Sequence, residues 1–139
     1  MKIVSERIKK QTKGSGDLLD ITGEIAQALE RSRLKEGSVL VFVVGSTAAI
    51  TTFEYEPGLI ADMKEFYQTL APSGRHYYHD DTWGDANGFS HIRASLAGPS
   101  LTIPFERSKL LLGTWQQVVL AEFDNRPRER EVVVQITGE

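Results

Sequence analysis

The period of apolar and polar positions changes repeatedly along the chain, and each change predicts an element. From Ile3 to Lys10, β-branched residues stand widely spaced among charges, the pattern of a strand with one wet face. Thr12–Asp17 (TKGSGD) is a turn or loop, followed by a short apolar run, Leu18–Ile21. Thr22 can cap a helix in which Ile25, Ala26 and Leu29, extended by Ser32 and Arg33, follow the spacing of one face. Lys35–Gly37 supplies its stop, with Gly37 available for a left-handed cap. The unbroken run VLVFVV, Val39–Val44, predicts a central strand buried on both faces. Gly45–Ser46 interrupts it, which marks a bulge or a close approach to the backbone. Thr47–Phe53 resumes strand character.

After a turn at Tyr55–Gly58, a second helix is expected over Leu59–Leu70. Leu59, Met63, Phe66 and Leu70 form its stripe, widened by Ile60 and Tyr67. Ala71–Gly74 ends it. His91–Leu96 is a short helix or a turn, and Leu101–Phe105 is a strand that Pro104 pushes toward an edge or bulge. Leu110–Phe123 reads as one long strand bent near Gly113, with a buried Trp115 early in it. Asp124–Arg128 is a turn, and Glu131–Thr137 is the last strand. Short strands joined by tight turns imply antiparallel pairing. The expected class is therefore α+β: a mostly antiparallel, sandwich-like sheet with two main helices in one compact domain spanning residues 1–139.

Composition narrows the function more than the fold. A net charge of −3 with interspersed signs lacks the clustered Lys/Arg of a nucleic-acid surface. Cysteine is absent, which excludes disulfides, thiolate metal sites and cysteine nucleophiles. No apolar run approaches the roughly 20 residues that span a bilayer, and the first residues lack a signal peptide's apolar core. No membrane role and a cytoplasmic location are the expectations.

All three histidines fall between residues 76 and 98, in a polar stretch that also holds Asp80, Asp81, an Asn-Gly pair, Trp83 and Arg93. Histidine moves protons and ligates metals near neutral pH. His79, beside Asp80 and Asp81, together with His91, suits a divalent cation by residue type, although the spacing matches no zinc motif. Tyr77 and Tyr78 favour a strand around His76 and His79, which would point those rings to opposite faces. A solvated loop with incidental histidines is the competing reading. Ser46 and Thr47 offer hydroxyls to a ligand, but no nucleophile elbow surrounds Ser46 or Ser90. Gly14–Gly16 lacks the Lys of a P-loop and reads as a connector. Arg126, Arg128 and Arg130 bracket a turn; their forks suit phosphate, or pair with Asp124 or Glu129.

The segments GPSLTIPF (Gly98–Phe105), LLLGTWQQVVLAEFDNRPRER (Leu110–Arg130) and VVVQITG (Val132–Gly138) resemble the YjbQ-like family, often labelled secondary thiamine-phosphate synthase. SHIRASLAG (Ser90–Gly98), Tyr78-His79 and TAAITTFE (Thr47–Glu54) extend the resemblance upstream. It implies an antiparallel α+β fold, a homotrimer, and a polar, metal-binding pocket near the family's histidines. It also implies a weak activity that joins a pyrimidine diphosphate to a thiazole phosphate and releases pyrophosphate. His79 and His91 match the family's two histidines after the second helix, and Glu54 matches its acidic residue at the end of the second strand. Gly113, Thr114, Trp115 and Gln116 match its signature run. The chain departs at Gly45-Ser46-Thr47, where members commonly carry His-Thr-Thr. That removes an imidazole from any three-histidine site.

Two functions follow. In one, the resemblance implies a transferase in which His79, His91 and Glu54 carry the chemistry. His79 and His91 would hold zinc or magnesium or act as acid and base at a subunit boundary. Arg93, Arg126, Ser46 and Thr47 would bind a phosphorylated small molecule. In the other, the chain is a non-catalytic trimeric protein that binds a metal or small molecule.

Overall fold

Every strand pairing in the chain is antiparallel, and the pairings sort eight strands into two sheets. The computed structural model describes residues 1–139. The larger sheet is built from β1 (Lys2–Gln11), β3 (Glu36–Val44), β5 (Ser100–Glu106), β6 (Lys109–Leu110) and β8 (Glu129–Gly138), in the order β1-β8-β3-β5-β6. The smaller sheet places β7 (Gln117–Glu122) between β2 (Asp17–Asp20) and β4 (Ala48–Phe53). The helices are α1 (Thr22–Ser32), α2 (Pro57–Leu70), α3 (Tyr78–Trp83) and α4 (Gly88–Ala97). This is the expected α+β sandwich, with two helices more than the two main ones expected.

Period-two burial explains the main core. Val39, Val41 and Val43 of β3 and Val132, Val134 and Ile136 of β8 point inward, where they meet Val118 and Leu120 of β7. α1 lays Ile25, Ala28 and Leu29 into the same core. Ala26, placed on that face by spacing, is exposed because the helix is rotated toward Ala28. Thr22 does not cap α1 either. Its hydroxyl donates to Asp20 at 2.7 Å and accepts from the Val118 N–H at 2.8 Å, stitching the helix to β7. The helix ends on Arg33 in the left-handed conformation. Gly37 lies instead inside β3 at φ +151°, where any Cβ would overlap the Thr137 carbonyl.

A second, smaller core lies on the other face of the small sheet, where Val119, Ala121 and Phe123 meet Tyr67 of α2 and Ala94 of α4. β7 is therefore the strand buried on both faces. The expectation of two-sided burial for Val39–Val44 is corrected: its alternate residues Phe42 and Val44 are exposed on the outer face of the large sheet. In α2, Ile60, Met63 and Tyr67 pack inward while Phe66 and Leu70 are exposed, so the burial stripe is narrower than the apolar one. The long strand expected over Leu110–Phe123 is two strands. Between them, residues 111–116 leave the sheet and expose Trp115. Gln116 there is satisfied within the chain, accepting from the Gly113 N–H at 3.0 Å, and Gln117 accepts from the Tyr55 N–H. Pro104 fits because β6 covers only the end of β5, leaving the rest of that side as a sheet edge.

Candidate functional site

His79 lies on helix α3 rather than on the strand that Tyr77 and Tyr78 favour, and His91 lies on α4, the helical of the two alternatives for His91–Leu96. α3 starts at Tyr78 because the Asp80 carboxylate accepts from the Tyr77 N–H at 2.9 Å, satisfying a donor that a helix start leaves orphaned. The same carboxylate accepts from the Gly88 N–H at 3.3 Å, which ties the first turn of α4 to α3. Between them, residues 84–87 turn sharply, with Ala86 at φ +57°. Asn125 holds that loop by donating to the Asp85 carbonyl at 2.7 Å. The outcome is that His79 on α3 and His91 on α4 face each other, with ring centroids 4.4 Å apart.

This settles where each acidic neighbour goes. Asp80 is occupied with backbone N–H groups, which hold its carboxyl below the usual range. Asp81 pairs with His76 at 3.0 Å on the surface. Neither reaches His79, whose buried Nδ1 has no hydrogen-bond partner. The carboxylate expected beside the imidazoles is thus used elsewhere by local helix chemistry. His91 is half-buried, and its pKa lies below the ordinary histidine value. Burial is the main cause and the His79 ring adds to it, against an opposing pull from Asp124 and Asp85.

The two rings line one wall of a polar hollow of about 360 Å³. Gly45, Ser46 and Thr47 line its floor, with Arg130 Nη1 over Gly45, and Trp83, Asp85, Asn87 and Arg128 complete the lining. An adjoining hollow of about 190 Å³ shares Gly45, Ser46 and His91, so His91 lies between the two. A roomier hollow of about 550 Å³ beside α1 and β6 contains no histidine, and chemistry rather than size selects the site.

Beneath the floor runs a buried charge network. Glu122, fully buried, receives Arg130 through Nε at 2.7 Å and through Nη2, and also the Thr12 hydroxyl at 2.7 Å and the Asp124 N–H at 2.9 Å. Thr47 accepts from Arg130 Nη2 at 2.7 Å and donates to Asp124 at 3.0 Å. Arg128 closes the chain on Asp124 at 2.7 Å. Burial works against the charge on Asp124, but hydrogen bonds from Arg128, Thr47 and the Asn125 N–H outweigh it and hold the carboxyl below its ordinary value. Each ion is matched by a partner, which is what makes such burial tolerable.

Of the residues chosen from the sequence, His79, His91, Ser46 and Thr47 converge here. Glu54 does not; it is exposed beside a separate groove lined by Tyr55 and Trp115. Arg93 is buried as a clamp between helices, donating to the Ala71 carbonyl at 2.9 Å and to Gln68 at 2.8 Å. Arg126 is exposed and lies outside the pocket lining. The arginines at the pocket are Arg128 and Arg130. Arg130 carried a sequence signal: it stands in phase with Val132, Val134 and Ile136, an inward position where arginine needs a reason. For a metal, the orphaned His79 Nδ1 and the adjacent His91 ring offer two imidazole donors, and no group of three or more His, Cys, Asp or Glu stands together.

Residues 6–139 match the family described as UPF0047 protein YjbQ-like. A UPF0047 protein of Archaeoglobus fulgidus is 40% identical over 85% of this chain and 89% of its own length. One from Methanothermobacter thermautotrophicus is 34% identical over 99% and 94%. Among solved structures, a protein of unknown function from Sulfolobus solfataricus superposes with a TM-score of 0.92 at 33% identity, covering 99% of both chains. A hypothetical protein from Aeropyrum pernix gives 0.85 at 32% identity, covering all of both. No helix of the chain is long and apolar enough to cross a membrane.

Proposed function

Starting from a chain that belongs to the UPF0047 YjbQ-like family, we propose that the histidine-lined hollow binds phosphorylated small molecules and carries a weak group transfer of the thiamine-phosphate-synthase type. The observation that supports this most is the facing pair His79 and His91 in one hollow with two arginines. In the reaction, the thiazole nitrogen attacks the methylene carbon of the pyrimidine diphosphate. A C–N bond forms, the C–O bond breaks, and pyrophosphate leaves with the electron pair. Two imidazoles this close do not readily carry two charges. In this reading one protonated imidazole of the pair would donate to the leaving pyrophosphate oxygen, the task of a general acid. Arg128 keeps Nε and Nη2 on Asp124 and has Nη1 to offer a phosphate oxygen. A divalent cation, zinc or magnesium, fits this reading as an ion that His79 and His91 hold jointly with ligand oxygens. When bound it would neutralise charge on the leaving group. The working unit in this reading is a homotrimer, supported by the apolar residues exposed on the outer sheet face.

The second reading is a non-catalytic trimeric protein that binds a metal or small molecule. It is favoured by Gly45, which leaves the site with two imidazoles. One experiment separates them: product formation from the pyrimidine diphosphate and thiazole phosphate, with elemental analysis of the same preparation. Slow turnover that falls at least about tenfold in His79→Ala and in His91→Ala is expected, within the usual contribution of acid–base groups. Equal turnover in all three proteins removes the transferase reading. Stoichiometric metal without turnover supports the second.

A further inference from the structure

Arg130 is 6% exposed, yet one of its donors is not used by the protein. Nε and Nη2 are committed to Glu122 and Thr47, while Nη1 makes no hydrogen bond. Nη1 lies directly over Gly45, 2.8 Å from where a Cβ on that residue would stand, and both residues line the hollow. Gly45 also has φ +155°, a backbone conformation that L side chains rarely adopt. The glycine and the unused donor are thus one feature: the missing side chain is the opening through which Nη1 meets the hollow. The guanidinium cannot simply swing aside, because two of its nitrogens are held by a fully buried carboxylate.

We infer that Arg130 Nη1 and Gly45 form an oxyanion subsite, and that Gly45 determines specificity by keeping it open to the phosphoryl end of the ligand. This rests on reading the hollow as a small-molecule site and goes further by naming the atom that takes the anion. A buried guanidinium whose Nη1 keeps both N–H groups free and pre-oriented is a strong donor to phosphoryl oxygen. Its position is already set by Glu122, so little is lost in ordering it. Arg128, which lines the same hollow, has one fork edge on Asp124 and adds its charge to the site. Bound there, an oxyanion shares the hollow with His79 and His91, the groups that would supply a proton to a leaving phosphate. Any side chain at position 45 would press on Nη1 and cover it.

The test uses inorganic pyrophosphate as the probe on the whole chain. Calorimetric titration gives its affinity for wild type and Gly45→Ala, and the arginine Nε–Hε and histidine ring signals are followed by NMR in the wild type. Saturable shifts of the Arg130 and His91 signals are expected, with at least about tenfold weaker binding in Gly45→Ala, the scale of one charge-assisted hydrogen bond. The wild-type spectra keep the test valid even if Gly45→Ala folds poorly. Absence of binding overturns the inference. So does binding that leaves the Arg130 signal unmoved, or equal affinity in a folded Gly45→Ala. The two readings fail separately. Pyrophosphate on Arg130 without any turnover removes the transferase and keeps the subsite. Histidine-dependent turnover with unchanged kcat and KM in Gly45→Ala removes the subsite and keeps the transferase.

Discussion

Burial and the His79 ring act together on His91, and both favour its neutral form over the partial opposition of Asp124 and Asp85. The sign of the resulting pH dependence follows directly. A histidine whose folded pKa is depressed binds fewer protons in the native state than in the unfolded chain. Its contribution to stability is fully present above the unfolded pKa of about 6.5 and is lost as pH falls through the lower folded value. A ring titration followed by NMR should therefore place the His91 midpoint below 6.5. His79→Ala should raise it part of the way back, since burial, the larger cause, remains. The wild-type melting temperature should drop on acidification through that window, and more steeply than in His91→Gln. An unshifted His91 midpoint would contradict the placement of the ring. At this scale the residue types were legible in the sequence, because only three histidines exist and two of them meet. The partners were not. Asp80 stands next to His79 in sequence but spends its carboxylate on two backbone N–H groups, and the free donor of Arg130 depends on which side of it Glu122 lies.

Helix α3 shows how far local propensity can mislead. Tyr77 and Tyr78 favour a strand, yet the segment pairs with no strand of either sheet. The Asp80 side chain satisfies the backbone at the helix start, and Gly84 ends the helix in the left-handed conformation. The α3–α4 pair then depends on close approach. A Cβ on Gly88 would stand 2.6 Å from Tyr77 Cβ, so Gly88→Ala must push the two helices apart. We expect a loss of about 1–3 kcal/mol in urea unfolding, the usual cost of overpacking. Weaker coupling between the two imidazole signals should accompany it. Gly23→Ala, at the start of α1 with no positive φ and nothing within 4 Å of the added atom, adds the same methyl without the collision and serves as the comparison. If both lose the same stability, helix contact is not what Gly88 protects. The apolar run Val39–Val44 is a strand, as its pattern predicts, but one-sided burial leaves Phe42 and Val44 outside.

Across the whole molecule, those two side chains lie on the outer face of the large sheet, with Ile3 also exposed on it. Val44 directly precedes the Gly45 floor of the hollow. A partner seated on this face would therefore reach the rim of the site. For the proposed homotrimer, light scattering should return about three times the 15.5 kDa chain mass. The double variant Phe42→Asp with Val44→Asp should return the mass of one chain with its melting transition intact. A monomeric wild type would remove the trimer, and a trimeric double variant would move its interface to another face.

By itself the sequence determined the α+β class, the boundaries of most strands, the α1 and α2 helices and the confinement of the histidines. Those properties follow from period and composition, which act over a few residues. Tertiary structure alone decided which residues share the hollow with the histidines. β7 is buried on both faces because two sheets and two helices close over it, and that closure carries Glu122 and Asp124 beneath the floor. Arg128 and Arg130, over thirty residues after His91, were drawn there by those buried carboxylates, whereas Glu54, Arg93 and Arg126 were held elsewhere by their own neighbours. Desolvated charge must find its opposite, and which opposite lies within reach is a property of the fold.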